Sequence, residues 1–255
     1  MLDARPHEGV RLEYKGRMLS VTHPLLGGTP LRIDYMEAYC KSGSTHREWG
    51  KTIIPQRNEV LSATDHEIKV KTSLACGVEV LHRIAVVADE ILLEATVTNL
   101  TDRPADVDWM QPCLRVAEFT GSDQQHYIRK CFVFTERGLT RLHETNRTEE
   151  AIYRGGQVYV PEGVSRDDVN PRPLSPDVPT KELIGCFSSD ESVMLATAWT
   201  DVQELFQGVI VCIHADPRIG GLAPRQTKQL WGKLYILSSD VDELLRRYHR
   251  DFGRR

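Results

Sequence analysis

Apolar and polar positions alternate with a period of two through most of this chain, the pattern of half-buried β-strands. The clearest run lies between Glu90 and Val116. Ile91, Leu93, Ala95 and Val97 alternate with Leu92, Glu94, Thr96 and Thr98, and Asn99 to Pro104 then supplies turn formers. On the returning arm Met110, Leu114 and Val116 point one way, while Trp109, Gln111, Cys113 and Arg115 point the other. The stretch reads as a long β-hairpin with one apolar and one polar-aromatic face. Further strands are expected at 11–14, 18–22, 31–39, 59–63, 67–73, 78–87, 127–135, 157–160, 183–188, 192–199, 207–214 and 226–237. A short helical turn is expected at 201–206. Ser239 and Asp240 can cap a helix over 240–252 whose Leu244, Leu245, Tyr248 and Phe252 form an apolar stripe. No helices separate successive strands, so parallel βαβ units are excluded and stacked antiparallel sheets in one domain, 1–255, are expected. The proline-rich segment 161–180 reads as a long irregular loop or a lid over a site.

Composition narrows the function classes. The 255 residues are 40% hydrophobic and 27% charged, an ordinary folded balance. With 32 basic and 36 acidic residues and no basic block, nucleic acid is not an expected partner. No apolar run has the length of a membrane span, so no membrane partner is expected either. Six cysteines, at 40, 76, 113, 131, 186 and 212, form no CxxC pair and read as reduced thiols of a cytoplasmic protein. Nine dispersed histidines show no HxH or HExxH spacing, and there is no GxGxxG, P-loop or GxSxG. Neither a metal nor a cofactor is therefore expected.

What remains is the chemistry of the strand faces. Trp109, Gln111 and Arg115 combine a flat ring, an amide and a guanidinium, which suits a sugar ring with its hydroxyls or carboxylate. In an extended conformation Arg47, Trp49 and Lys51 share a face, with His46 and Glu48 opposite. Trp231, Lys233 and Tyr235 repeat the pattern on the last strand, where the alternative is a second hydrophobic layer under the C-terminal helix. Tyr127 and Arg129, preceded by His126, could move a proton beside a carboxylate. His82, set among Val78, Val80, Ile84 and Val86, reads as a satisfied core histidine.

Two segments carry a family resemblance. Residues 94–107, with Thr98-Asn99-Leu100-Thr101-Asp102-Arg103-Pro104 at their centre, look like a long strand and turn of the galactose mutarotase-like supersandwich superfamily. Residues 208–217, followed by Gly221-Leu222-Ala223-Pro224-Arg225-Gln226-Thr227, look like its late strand and active-site turn. That superfamily includes aldose epimerases and the β-domains of polysaccharide lyases and glycosidases. The resemblance implies an all-β antiparallel supersandwich with a short C-terminal helix. It also implies a sugar or acidic-sugar ligand and an epimerase, isomerase or lyase type of proton transfer. The chain departs from the family at both catalytic positions. Gln111 or Pro112 stands where the epimerase histidine would be, and His214 stands at or near the glutamate position. His214 becomes the candidate base, with His126 or Tyr127 as its partner. Arg47, Arg115 and Arg129 would hold anionic or hydroxyl groups, and Trp49 and Trp109 would stack on the ring. Two other readings stand beside this one: a non-catalytic carbohydrate-binding or assembly protein, and a homo-oligomer that buries Trp109 and Trp231 between subunits.

Overall fold

The computed structural model describes residues 7–43 and 48–253, with the backbone only at 152–154. Among these residues sixteen strands form two antiparallel sheets. The first sheet has seven strands. In spatial order they are β1 (Arg11–Lys15), β2 (Met18–Thr22), β3 (Leu31–Cys40), β8 (Trp109–Arg115), β15 (Cys212–Pro217), β14 (Val202–Gln207) and β11 (Gln157–Tyr159). The second has nine: β10 (Gly138–Arg141), β9 (Cys131–Thr135), β12 (Leu183–Phe187), β13 (Val193–Trp199), β16 (Thr227–Ser238), β7 (Glu90–Asn99), β6 (Val78–Val87), β5 (Glu67–Leu74) and β4 (Gln56–Ala63). The fold is therefore the expected antiparallel sandwich with a C-terminal helix, Val241–Phe252, capped by Asp240.

Period-two alternation builds the core. In β5, Ile68, Val70, Thr72 and Leu74 are buried, with polar neighbours between them. Ile33, Met110, Leu114, Ile213 and Leu205 of the first sheet join Ile68, Val80, Leu93, Leu195 and Leu234 of the second in one buried cluster. A second apolar layer covers part of the far side of the nine-stranded sheet, over β9, β12, β13 and β16. There Phe132, Met194, Tyr235 and Leu237 pack under Leu244, Leu245, Tyr248 and Phe252 of the C-terminal helix.

Three local expectations are corrected. The hairpin across 90–116 does not form. β7 pairs with β6 and β16, whereas β8 lies in the other sheet between β3 and β15. Both edges of β7 are occupied, so the chain crosses between sheets. Asn99 holds this crossing by donating to the carbonyls of Arg103 (2.7 Å) and Ala223 (3.0 Å). Residues 202–207 form strand β14 rather than a helical turn, and all six are buried. Residues 127–129 form a short 3₁₀ turn, so the strand begins only at Cys131.

The helix is anchored by charge as well as by apolar contact. Buried Glu90 accepts from Lys233 Nζ (2.7 Å), from Arg250 Nη2 (2.7 and 2.8 Å) and from Arg247 Nη1 (3.2 Å). Removing one partner of a buried pair costs roughly 3–5 kcal/mol, several times the value of an exposed pair. That network engages Lys233 structurally.

His82 sits between the hydroxyls of Tyr35 (3.2 Å) and Tyr39 (2.6 Å), and burial pushes its pKa down to about 3. The unfolded chain takes up a proton near pH 6.5 that the folded chain refuses until far lower pH. Acidification from pH 7 to 4.5 therefore costs folding stability, by about 2–3 kcal/mol at this residue. Urea unfolding at the two pH values should show this loss shrinking by that amount in His82→Gln. An unchanged pH difference would contradict the assignment.

Candidate active site

The site lies on the outer face of the seven-stranded sheet. Along β15, Ile213 and Ala215 enter the main core, so Cys212, His214 and Asp216 project from the opposite face. The antiparallel register pairs Cys212 with Arg115 and Ile213 with Leu114. Continued along the strand, it brings Asp216 beside Gln111, whose Nε2 donates to Asp216 Oδ2 at 3.2 Å. From the other side β14 sets Phe206 against His214 and Glu204 against Asp216. The rings of Phe206 and His214 lie 5.1 Å apart.

Three side chains form a line. Cys212 Sγ is 3.2 Å from His214 Nε2, and His214 Nδ1 is 3.6 Å from Asp216 Oδ1. The first is a hydrogen bond and the second an ion-pair distance. The Cys113 sulfur lies within 4.8 Å of both Cys212 Sγ and His214. Cys113's hydrogen bond, with the charge and N–H of His214, outweighs burial and brings the Cys212 thiol down to about 4. Burial opposes a charged His214, but the Cys212 sulfur and Asp216 prevail and raise it to about 10. Both shifts favour the thiolate–imidazolium form of the pair. Burial lifts Asp216 to about 6 against the pull of His214, and burial with Asp216 lifts Glu204 well above the usual carboxylate range. Glu204 is thereby biased toward its neutral form beside Asp216.

Local sequence explains this packing. Pro112 interrupts β8, and opposite it β3 bulges, its register jumping from Asp34–Cys113 to Ala38–Gln111. Glu37 lies in that bulge and faces the cavity. Gly208 is required by close approach: a Cβ there would overlap the Cys212 sulfur and press on His214 Nε2. The cavity measures about 370 Å³, within the range of small-molecule sites. Glu37, Trp49, Gln111, Arg172, Cys212 and His214 line it, so it gathers the 161–180 segment and the 48–52 turn over one sheet face. Asn170 anchors that segment through its backbone N–H, which donates to Glu204 Oε2 at 2.8 Å.

The sequence-selected residues separate into two groups. His214, Gln111 and Trp49 meet at the cavity. Trp109 is fully buried behind Trp49, their rings 5.8 Å apart, so it offers no surface to a ligand or to another subunit. Arg115 lies 3.6 Å from Asp34 and 3.9 Å from Glu37 and borders a different cavity of about 440 Å³. Lys51 pairs with Glu48 at the surface (3.1 Å), and His126 pairs with Asp123 on an exposed turn (2.7 Å). Arg129 is exposed, and its carbonyl accepts from Arg141. Trp231 stacks on Phe252 of the C-terminal helix (4.5 Å), on the other sheet, and Lys233 is held by Glu90. Arg47 and His46 lie outside the described residues. Sequence reasoning passed over Cys212, Asp216, Glu204, Glu37 and Arg172. The Cys-x-His-x-Asp spacing on an alternating strand was the available signal for the first two.

Cys113, Cys212 and His214 are the metal-ligand grouping found among the described residues, their ligand atoms within 4.8 Å of one another. The neighbouring Cys212 sulfur and burial both raise the pKa of the Cys113 thiol. No helix among the described residues is long and apolar enough to cross a membrane.

No protein-family model and no curated protein matches the sequence. Solved structures resemble it distantly. A protein from Synechocystis sp. PCC 6803 has a TM-score of 0.49 at 10% identity, covering 93% of this chain and 99% of its own. A galactose mutarotase related enzyme from Lactobacillus acidophilus has a TM-score of 0.46 at 9% identity, covering 90% and 98%. A galactose mutarotase-like protein from Lactobacillus casei ATCC 334 has a TM-score of 0.43 at 10% identity, covering 89% and 100%.

Tyr127 illustrates a structural rather than a chemical role. Burial pushes its phenol well above the usual range, and the hydroxyl donates to Gly208 O at 2.5 Å beside the β14–β15 turn. Tyr127→Phe should lower unfolding free energy by about 1–2 kcal/mol in urea titrations. An unchanged stability would contradict the role given to this bond.

Proposed function

We propose that the cavity binds a small polyhydroxylated ligand, a sugar or uronate, and that His214 transfers a proton to it. The observation that carries this reading is His214 fixed between Cys212 and Asp216 at the wall of the cavity. With the Cys212 sulfur against one nitrogen and Asp216 beside the other, the charged imidazole is favoured, and His214 acts first as an acid. Its proton would go to a ring or carbonyl oxygen. Glu37 lines the same cavity and is the acceptor for a proton leaving the ligand. The exposed Arg172 guanidinium suits a carboxylate, and Trp49 offers a ring face to a pyranose. Asn170, Pro171 and Arg172 make the 161–180 segment a cover for the cavity. The cysteines are all unpaired, which suits a reducing compartment such as the cytoplasm.

The test is a screen of reducing sugars and uronates in deuterated water by proton NMR. At least one should show accelerated anomer interconversion or lose a carbon-bound proton to deuterium. His214→Gln should slow that reaction by about 100-fold or more, the usual scale of general acid–base catalysis. His126→Gln, altered at the surface, should retain it. A screen without any such reaction, or equal turnover by His214→Gln, would contradict the reading.

A further inference from the structure

We propose that Cys212 is a nucleophile that adds through its thiolate to the carbonyl carbon of an open-chain sugar held in this cavity. The inference rests on the sugar reading above and goes beyond it by naming a covalent step. His214 Nε2 lies 3.2 Å from the Cys212 sulfur, with Asp216 behind the ring and the Cys113 sulfur within 4.8 Å of both. An apolar pocket for a neutral thiol would not set an imidazole nitrogen against it. An imidazole backed by a carboxylate is the arrangement expected beside a thiolate. Cys212 also lines the cavity, whereas Cys113 stands behind it, so a ligand meets only the first sulfur. Behind the imidazole, Asp216 is itself held by Gln111. The result is a nucleophile, an acid–base group and an orienting carboxylate at positions i, i+2 and i+4 of one strand.

The step balances without a further reactant. A sulfur lone pair forms the S–C bond, the carbonyl π pair moves onto oxygen, and His214 Nε2 delivers its proton to that oxygen. The product is a neutral hemithioacetal beside a neutral imidazole, and reversal regenerates the ion pair. On reversal the S–C bond breaks, the hydroxyl proton returns to His214 and the carbonyl is regenerated; rotation about C1–C2 during the adduct's lifetime lets the ring hydroxyl then attack either face, which links the adduct to anomer interconversion. The carboxyl groups of Glu204 on the neighbouring strand, Asp216 on the same strand and Glu37 from β3 surround the pair.

Alkylation of the full-length chain by iodoacetamide, resolved by peptide mass spectrometry, tests the thiolate. An ordinary thiol of pKa about 8.5 loses roughly 150-fold in rate between pH 8.5 and 6.0. Cys212 should lose less than about threefold, and His214→Gln should restore the steep fall. Asp216→Asn serves the same purpose should His214→Gln fail to fold. Steep pH dependence of Cys212, or no alkylation at either pH, would overturn the proposal. So would zinc bound at one equivalent and lost in Cys212→Ser, because the sulfur would then be a ligand. The carbonyl step is read with [1-¹³C]glyceraldehyde and [1-¹³C]glucuronate. A protein-bound C1 resonance of hemithioacetal type, absent in Cys212→Ser, supports it. Binding seen by saturation-transfer NMR with no adduct would sink the nucleophile and leave the sugar reading standing. No binding by either probe or by any reducing sugar would remove the sugar reading itself, and the covalent step with it.

Discussion

Ionised groups buried on the back of a β-sheet are stable only in company. A lone charge moved out of water is far too costly to persist, whereas a matched set with hydrogen-bonded neighbours persists. The outer face of β15 depends on this condition. Cys212, His214 and Asp216 are all buried, and each is supported by the next and by Gln111 or Cys113. β14 and β8 flank it, residues 170–172 line the cavity beside it, and Gly208 leaves room for the sulfur and the imidazole. Cys212 and His214 border that cavity.

The other half of the molecule is built on the opposite logic. Its inner face is apolar against the first sheet, and on the outer side β9, β12, β13 and β16 form a second apolar layer beneath the C-terminal helix. Buried charge enters there as the Glu90 cluster, which ties the helix to Lys233. The contrast explains why two strand faces of similar composition part company. Trp231 and Lys233 are covered by the chain's own helix, whereas Gln111 and His214 are left open to a cavity.

Strand content, the C-terminal helix and the inward faces are legible in the sequence, because a period of two depends only on neighbours. Partnership is not. Asn99 to Pro104 look like a hairpin turn, yet whether a turn joins paired strands depends on whether their edges are free, and those of β7 are not. β14 reads as a helical turn because continuous burial erases alternation, leaving Val202, Leu205 and Phe206 at helical spacing. The site was half legible. His214 and Gln111 stand out through a family pattern, but Glu37 reaches the cavity through a bulge and Arg172 through a long irregular segment. Neither placement follows from local periodicity.

The central claim is that the row on β15 carries an imidazolium at neutral pH. Nitrogen-15 NMR of the histidine-labelled protein at pH 7, with His214 assigned by comparison with His214→Gln, measures it directly. The account predicts both ring nitrogens of His214 protonated, with no titration until the alkaline range. A neutral His214 with a single protonated nitrogen at pH 7 would contradict it.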